Sequence, residues 1–316
     1  MVALPGPLTE IFLQTLPYFG VIGLGFFAGK SGFFGPDATA YLTRFVFYFA
    51  LSAMLFLFSA SLSLAEILDW TFILAYLSGC VVIYLLATVV AAINGRSIAE
   101  GAVEAQCAII GNVGFLGIPM LALLIGEASI GPIMMVLAVD LVVFSSLIVI
   151  LITGSRDGTL GLKTLRTVGL GLIKNPMVVS IVLGLSFASL SLTIPRPVED
   201  FLTILGGAAT PGALFAIGAS LASKSAERVS TATWLSFCKL ILHPAAVAAF
   251  ALWVFDVPVF AAGVMIACAA LPVAGNVFMI AQTYNAAPAR ASASILFSTA
   301  ISIVTVPFVI AWVTSL

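Results

Sequence analysis

Ten apolar runs of about 20 residues, each nearly free of charge, leave this chain few folds to choose from. Inside hydrocarbon no water is available to bond backbone N–H and C=O groups, so runs of that length cross a membrane as helices. They fall near 9–29, 39–60, 70–93, 101–125, 130–152, 175–194, 200–222, 232–254, 258–281 and 290–314. Only 8% of the 316 residues are charged, against roughly 25% in a soluble domain. The expected fold class is therefore an all-α, multi-pass membrane protein embedded in a lipid bilayer. A net charge of -1 argues against a nucleic-acid partner. Residues 1–9 lack a basic stretch ahead of the first apolar run, so no cleavable signal is expected. Cys80, Cys107, Cys238 and Cys268 all fall in apolar runs without metal-ligand spacing and read as small packing residues.

The connections are short and carry most of the charge. The longest, 154–174, is basic and separates two halves of five runs, 1–153 and 175–316. If alternate connections face one compartment, Lys30, Arg96, Arg156, Lys163, Arg166, Lys174, Lys224, Arg228 and Arg290 share a side. Arg196 alone lies opposite, and Arg44 and Lys239 lie within runs. Basic residues concentrate on the cytoplasmic side. The middle connection is thus expected in the cytoplasm of a cell (inner or plasma) membrane protein, with both termini outside.

Five runs per half would make the halves enter the membrane from opposite sides, the arrangement of an inverted repeat. Residues 50–63 can be laid on 209–222 with Ala, Leu-Phe and Ala-Ser-Leu matched. Gly111-Asn112-Val113 then falls near Gly275-Asn276-Val277. Around each lies a loop-like cluster inside an apolar run: Gly111, Asn112, Gly114, Gly117 and Pro119 in the fourth, and Pro272, Gly275 and Asn276 in the ninth. Glycine and proline interrupt the backbone ladder, and the freed groups then need protein, water or a ligand. Two matched interruptions predict two broken helices and, between them, a substrate site. Close packing through small residues is the competing explanation.

Ionisable side chains at mid-membrane are functional candidates by default. Three stand out: Asp140 in the fifth run, and Lys239 and His243 four residues apart on one face of the eighth. Lys239 would offer positive potential to an anion, and Asp140 would carry a coupled proton or sodium ion. Alternatively the two form a structural pair, or Lys239 snorkels to the cytoplasmic surface. His243, the single histidine, reads more simply as a packing residue, and no metal site is expected. Pro211 should bend the seventh run. Beside it Thr210, and Ser52 at the matching place in the second run, could meet a ligand or bond their own helix.

Taken together, these residues resemble the auxin efflux carrier family, also called auxin/malonate/malate permeases, whose fold is shared with bile acid:sodium symporters. The resemblance is carried by Gly-Asn-Val-Gly-Phe-Leu-Gly-Ile-Pro at 111–119, Lys174-Asn175-Pro176, and Gly-Gly-Ala-Ala-Thr-Pro-Gly-Ala-Leu-Phe-Ala-Ile-Gly-Ala-Ser-Leu at 206–221. Lys239, His243-Pro244, Leu271-Pro272 and Gly275-Asn276 complete it. It implies about ten transmembrane helices in two inverted five-helix repeats, with the fourth and ninth helices broken and crossing at Pro119 and Pro272. It further implies a scaffold of spans 1, 2, 6 and 7 and a moving transport domain of spans 3–5 and 8–10. Ser52 stands where the family pattern would place proline. The implied function is elevator-type secondary transport of small organic anions without a cofactor, with coupling to H+ or Na+ and a homodimeric assembly left open. A sodium-coupled carrier of bile-acid-like anions is the alternative; it calls for carboxylates beside the crossing, and the reading counts no acid in either broken helix. An intramembrane enzyme is remote, because no paired aspartates, Ser–His dyad or His/Glu metal motif occurs within the runs.

Overall fold

The computed structural model describes residues 7–62, 69–157, 162–222 and 229–316. Lys224 and Arg228 of the orientation count, and the side chain of Lys163, lie outside the described residues. Among those described, helices are joined by short turns and connections, and one isolated antiparallel bridge links Gly111 and Val273.

Among the described residues seven helices are long and apolar enough to cross a membrane unaided: α1 (Thr9–Lys30), α2 (Pro36–Ala60), α3 (Trp70–Ile93), α6 (Glu127–Arg156), α9 (Arg196–Ala222), α10 (Val229–Val254) and α13 (Pro288–Val313). At 1.5 Å per residue the 24 residues of α3 reach roughly 36 Å, enough for a hydrocarbon core of about 30 Å. The remaining apolar runs are divided. The fourth is α4 (Ile98–Ile109) and α5 (Val113–Ile125), and the ninth is α11 (Val259–Ala269) and α12 (Gly275–Thr283). The 12 residues of α4 and 11 of α11 each extend roughly 17 Å, about half the hydrocarbon thickness.

Two boundaries differ from expectation. The connection 154–174 is not a plain loop: Leu162–Lys174 forms α7, which meets α8 (Pro176–Ser189) at 70°. α7 runs through Gly169 and Gly171 and ends at Asn175-Pro176, where the residue before proline is driven out of the helical region (ψ 113°) and its side chain caps Met177 N–H at 3.0 Å. The sixth run is also shorter than 175–194, ending at Ser189 ahead of Ser191, whose φ is +51°.

Helix packing follows the small residues. α1 lies against the second half of α9 so closely that a methyl group on Gly218 would stand 1.9 Å from the Ile22 carbonyl oxygen. Only glycine permits that approach. α2 packs on α8 through Gly184 and on α9 through Gly206. In a second set, α3 packs on α4 and α10, α10 on α13, and α11 on α6 and α13. The interruption in α9 is one residue, Ala208, three before Pro211.

Candidate functional site

The two broken runs meet at their breaks. Asn112 N–H donates to the Pro272 carbonyl at 2.8 Å, and Ala274 N–H donates to the Ile110 carbonyl at 3.1 Å. Groups freed by each interruption are thereby answered by the other, which removes most of the cost of exposing them to hydrocarbon. Two further groups have local partners: Val273 N–H donates to Ser298 Oγ of α13 at 3.0 Å, and the Asn112 carbonyl accepts from Leu116 and Gly117 N–H at 3.0 and 2.9 Å. It is the Asn112 backbone, then, that repairs the first break; its side chain makes no cap bond to the helix that follows. Gly111 is buried at the closest approach, and a methyl group there would lie 3.0 Å from the Cys268 carbonyl oxygen and 3.3 Å from Lys239 Nζ.

The prolines do not occupy equivalent places. Pro272 lies within its break, whereas Pro119 is in the first turn of regular helix after a π-helical turn, Val113–Gly117, several residues past the Ile110–Asn112 interruption. Pro119 has no N–H to give the carbonyl four residues back, and the wide turn before it accommodates that loss. The same device precedes His243-Pro244, where Cys238–Leu242 is π-helical and contains Lys239; Asp140 opens another π turn, Asp140–Phe144. Such turns rotate the helix by one residue and frequently occur at functional sites.

The breaks differ in exposure as well. Gly114 faces Leu51 of α2 and Met177 of α8, so the first break presents its π turn to the other helix set. Gly275 is exposed with nothing within 4 Å of a methyl group placed on it, and α12 opens there without a side-chain cap. Asn276 is half-buried, and its Oδ1 is enclosed without a hydrogen-bond partner. Ser52 bonds its own helix, donating to the Phe47 carbonyl at 3.1 Å, while Thr210 is half-buried on the α9 segment that packs against the Val113–Gly117 turn.

Beside the breaks lies a buried polar cluster. Lys239 Nζ donates to the Ala269 carbonyl at the end of α11, where a cation also complements the helix dipole. His243 Nδ1 stands 3.3 Å from Lys239 Nζ and 3.2 Å from the same carbonyl, and its Nε2 is 3.2 Å from Cys80 Sγ. Tyr76 packs edge-on to the His243 ring and donates to Asp140 Oδ1 at 2.9 Å, while Oδ2 of that carboxylate has no hydrogen-bond partner. Among the described residues no ion pair within 4.0 Å joins Lys239 to Asp140. The structural pair, one of the alternatives for these two residues, is replaced by two separate arrangements. Nor does Lys239 snorkel: it is fully buried.

The count of three ionisable groups misses a fourth. Glu104 lies in α4, inside the fourth run, and is buried; its Oε1 accepts from Arg290 Nη1 at 2.8 Å, with Arg96 Nε at 3.6 Å. Arg290 Nη2 reaches Glu100 Oε1 at 2.9 Å, and Glu100 also completes a capping box with Ser97. The signal was present as two acids four residues apart, Glu100 and Glu104, with an arginine opening the last run. Partial burial pushes the Glu100 carboxyl up, but the Ser97 backbone N–H and the nearby Arg290 and Arg96 outweigh it and hold it below the ordinary value.

Comparison with known sequences agrees with the motifs. Residues 10–310 match the membrane transport protein family. The chain belongs to that family, the auxin efflux carriers. This is a family of transporters and not of enzymes. A protein of Rhizobium meliloti (strain 1021), whose name provisionally assigns it malonate transport, is 28% identical over 306 residues, 95% of this chain and 94% of that protein.

Proposed function

We propose that this auxin efflux carrier relative is a secondary carrier of small carboxylates across the cytoplasmic membrane, with malonate, malate and auxin-like acids as the substrate class. One observation carries the reading: two helix breaks bonded to each other, with a buried lysine beside them and an uncapped helix start opening from the second. The N-terminal turn of α12, which has no side-chain cap, and the positive end of its dipole suit a carboxylate. Gly111, Asn112, Gly275 and Asn276 would line that cradle with Pro119 and Pro272, and Ser52 and Thr210 would face it from α2 and α9. The malonate part of the proposal comes from the Rhizobium meliloti relative.

The movement proposed is an elevator. Spans 1, 2, 6 and 7 form the scaffold and spans 3–5 and 8–10 the transport domain, in inverted repeats 1–153 and 175–316, with 154–174 cytoplasmic and both termini outside. In support, α1, α2, α8 and α9 pack chiefly on one another, as do α3, α4, α6, α10, α11 and α13. No cofactor is required. Asp140, with one oxygen unpartnered, is the candidate for a coupled H+ or Na+, with His243 and Lys239 flanking. The sodium-coupled bile-acid reading gains nothing from Glu104, whose Oε1 is taken by Arg290.

Counterflow of labelled malonate in proteoliposomes tests the proposal, with malate and indole-3-acetate as competitors and with or without sodium. Saturable exchange with at least one of these acids is expected, and Asp140→Asn should abolish its pH or sodium dependence. If no carboxylate exchanges, the substrate class is wrong; if the dependence survives Asp140→Asn, the coupling role is wrong.

A further inference from the structure

Helix α7 has no place in the transport reading, and its composition is unlike its neighbours. Between Asp157 and Glu199 the chain contains no acid, yet it carries Lys163, Arg166 and Lys174 within α7. The segment Arg166–Lys174 leaves the axis of α8 by 70°, so if α8 stands across the bilayer α7 lies within about 20° of its plane. Val168 and Leu172, four residues apart, are half-buried on the side where α7 packs against α6 and α8. Leu170 and Ile173 point away from the protein, 41% and 72% exposed, and sit between Arg166 and Lys174, which are exposed as well.

A water-facing helix gains nothing from two exposed aliphatic side chains set between cations. A helix lying in the membrane surface gains twice, as the aliphatic groups enter the acyl region and the long basic side chains extend to the phosphates. An acidic protein partner would account for the charge and not for Leu170 and Ile173. We propose that α7 is an interfacial anchor binding the headgroups of anionic phospholipids through Arg166 and Lys174, with Leu170 and Ile173 inserted beneath them. Docking there holds the start of α8, at Asn175-Pro176, at the membrane surface.

Hydrogen–deuterium exchange over residues 166–174 tests this, with the whole protein in nanodiscs of phosphatidylcholine alone or mixed equally with phosphatidylglycerol. At about 1 kcal/mol for each basic residue near an anionic surface, two cations should slow exchange in the mixed membrane by roughly 25-fold. Raised salt should erase the difference. Arg166→Gln with Lys174→Gln should exchange at one rate in both membranes. Equal rates for the unaltered protein in the two membranes would overturn the proposal, as would full slowing in the double variant. A nanodisc has the same lipids on both faces, so the outcome does not depend on orientation. Labelling Arg166→Cys with an impermeant maleimide on intact cells tests the cytoplasmic placement separately.

Discussion

Two clusters of buried charge in this transporter are built on opposite principles. At one end of α4 and α13, Arg96, Glu100, Glu104 and Arg290 are matched two against two, and the central pair is 2.8 Å apart. Beside the helix breaks, Lys239 and Asp140 are likewise a basic and an acidic residue, yet each is bonded to a neutral partner, the Ala269 carbonyl and the Tyr76 hydroxyl. A matched cluster has nothing left to give a ligand; it fastens helices together. In an unmatched one, potential and a carboxylate oxygen remain uncommitted, at a desolvation cost that packing must offset. Their placement fits that division. The matched cluster joins residues 186 apart in sequence, tying the first broken run to the helix after the second. The unmatched cluster abuts the breaks themselves.

The sharpest test removes the centre of the matched cluster. Arg290→Met would leave Glu104 buried without its cation, which should cost about 3–5 kcal/mol and lower the melting temperature in detergent more than any other single change here. Replacing both members, Arg290→Met with Glu104→Leu, should restore most of that loss, because the penalty is the uncompensated charge. If the double variant is as unstable as the single one, the cluster is more than a fastening and the contrast fails.

Lys239→Met probes the other cluster and should divide the readouts differently. Loss of one donor to the Ala269 carbonyl costs about 1–3 kcal/mol, partly offset because a buried charge disappears. Transport should fall far more than stability, by tenfold or more in counterflow rate, if the lysine's potential serves the anion. Equal losses for Lys239→Met and Arg290→Met in both assays would mean that the two clusters do the same job.

How much of this was open to reading from the sequence follows from how local each feature is. Spans come from runs of apolar residues, a property of contiguous sequence, so α1, α2, α3, α6, α9, α10 and α13 fall where hydropathy puts them. The breaks are also local, because glycine and proline act on their own backbone; Gly111-Asn112 and Pro272 lie at the interruptions. Pro119 misleads for a physical reason: a π turn absorbs its missing N–H, and the chain opens earlier, at Ile110. What pairs with what is not local. Nothing in the order of residues reveals that Asp140 turns to Tyr76 and away from Lys239, and the spacing of Glu100 and Glu104 calls for a cation without showing that Arg290, counted as a surface cation, supplies it. Residue 174, likewise, ends a helix where a loop was expected, since amphipathic spacing in a polar connection is a weaker signal than a 20-residue apolar run.

Tyr76→Phe is a milder probe of the cluster beside the breaks. It removes the single donor to Asp140 Oδ1 and keeps the ring against His243. A loss of about 1 kcal/mol is expected, below that of Lys239→Met, because a buried acid can protonate to escape its lost bond. If Asp140 binds the coupled ion, counterflow should fall further than stability in this variant, since Tyr76 no longer fixes the carboxylate. Unchanged counterflow with reduced stability would leave Tyr76 with a packing role only.

The smallest effect belongs to Glu100, the most exposed member of the matched cluster, with its side chain 33% accessible. Its carboxyl is held below the ordinary value of 4.5 in the folded protein, so its contribution to stability is present above that pH. That contribution disappears as pH falls through the lowered value and the group protonates in both folded and unfolded chains. Thermal melts of Glu100→Gln against the unaltered protein should therefore show a modest gap at neutral pH that closes as the buffer is acidified below about 4.5. A gap that persists in acid would locate the value of Glu100 in the geometry of its bonds to Ser97, which glutamine only partly reproduces, and would make the outer half of the cluster a helix cap instead of an ion pair.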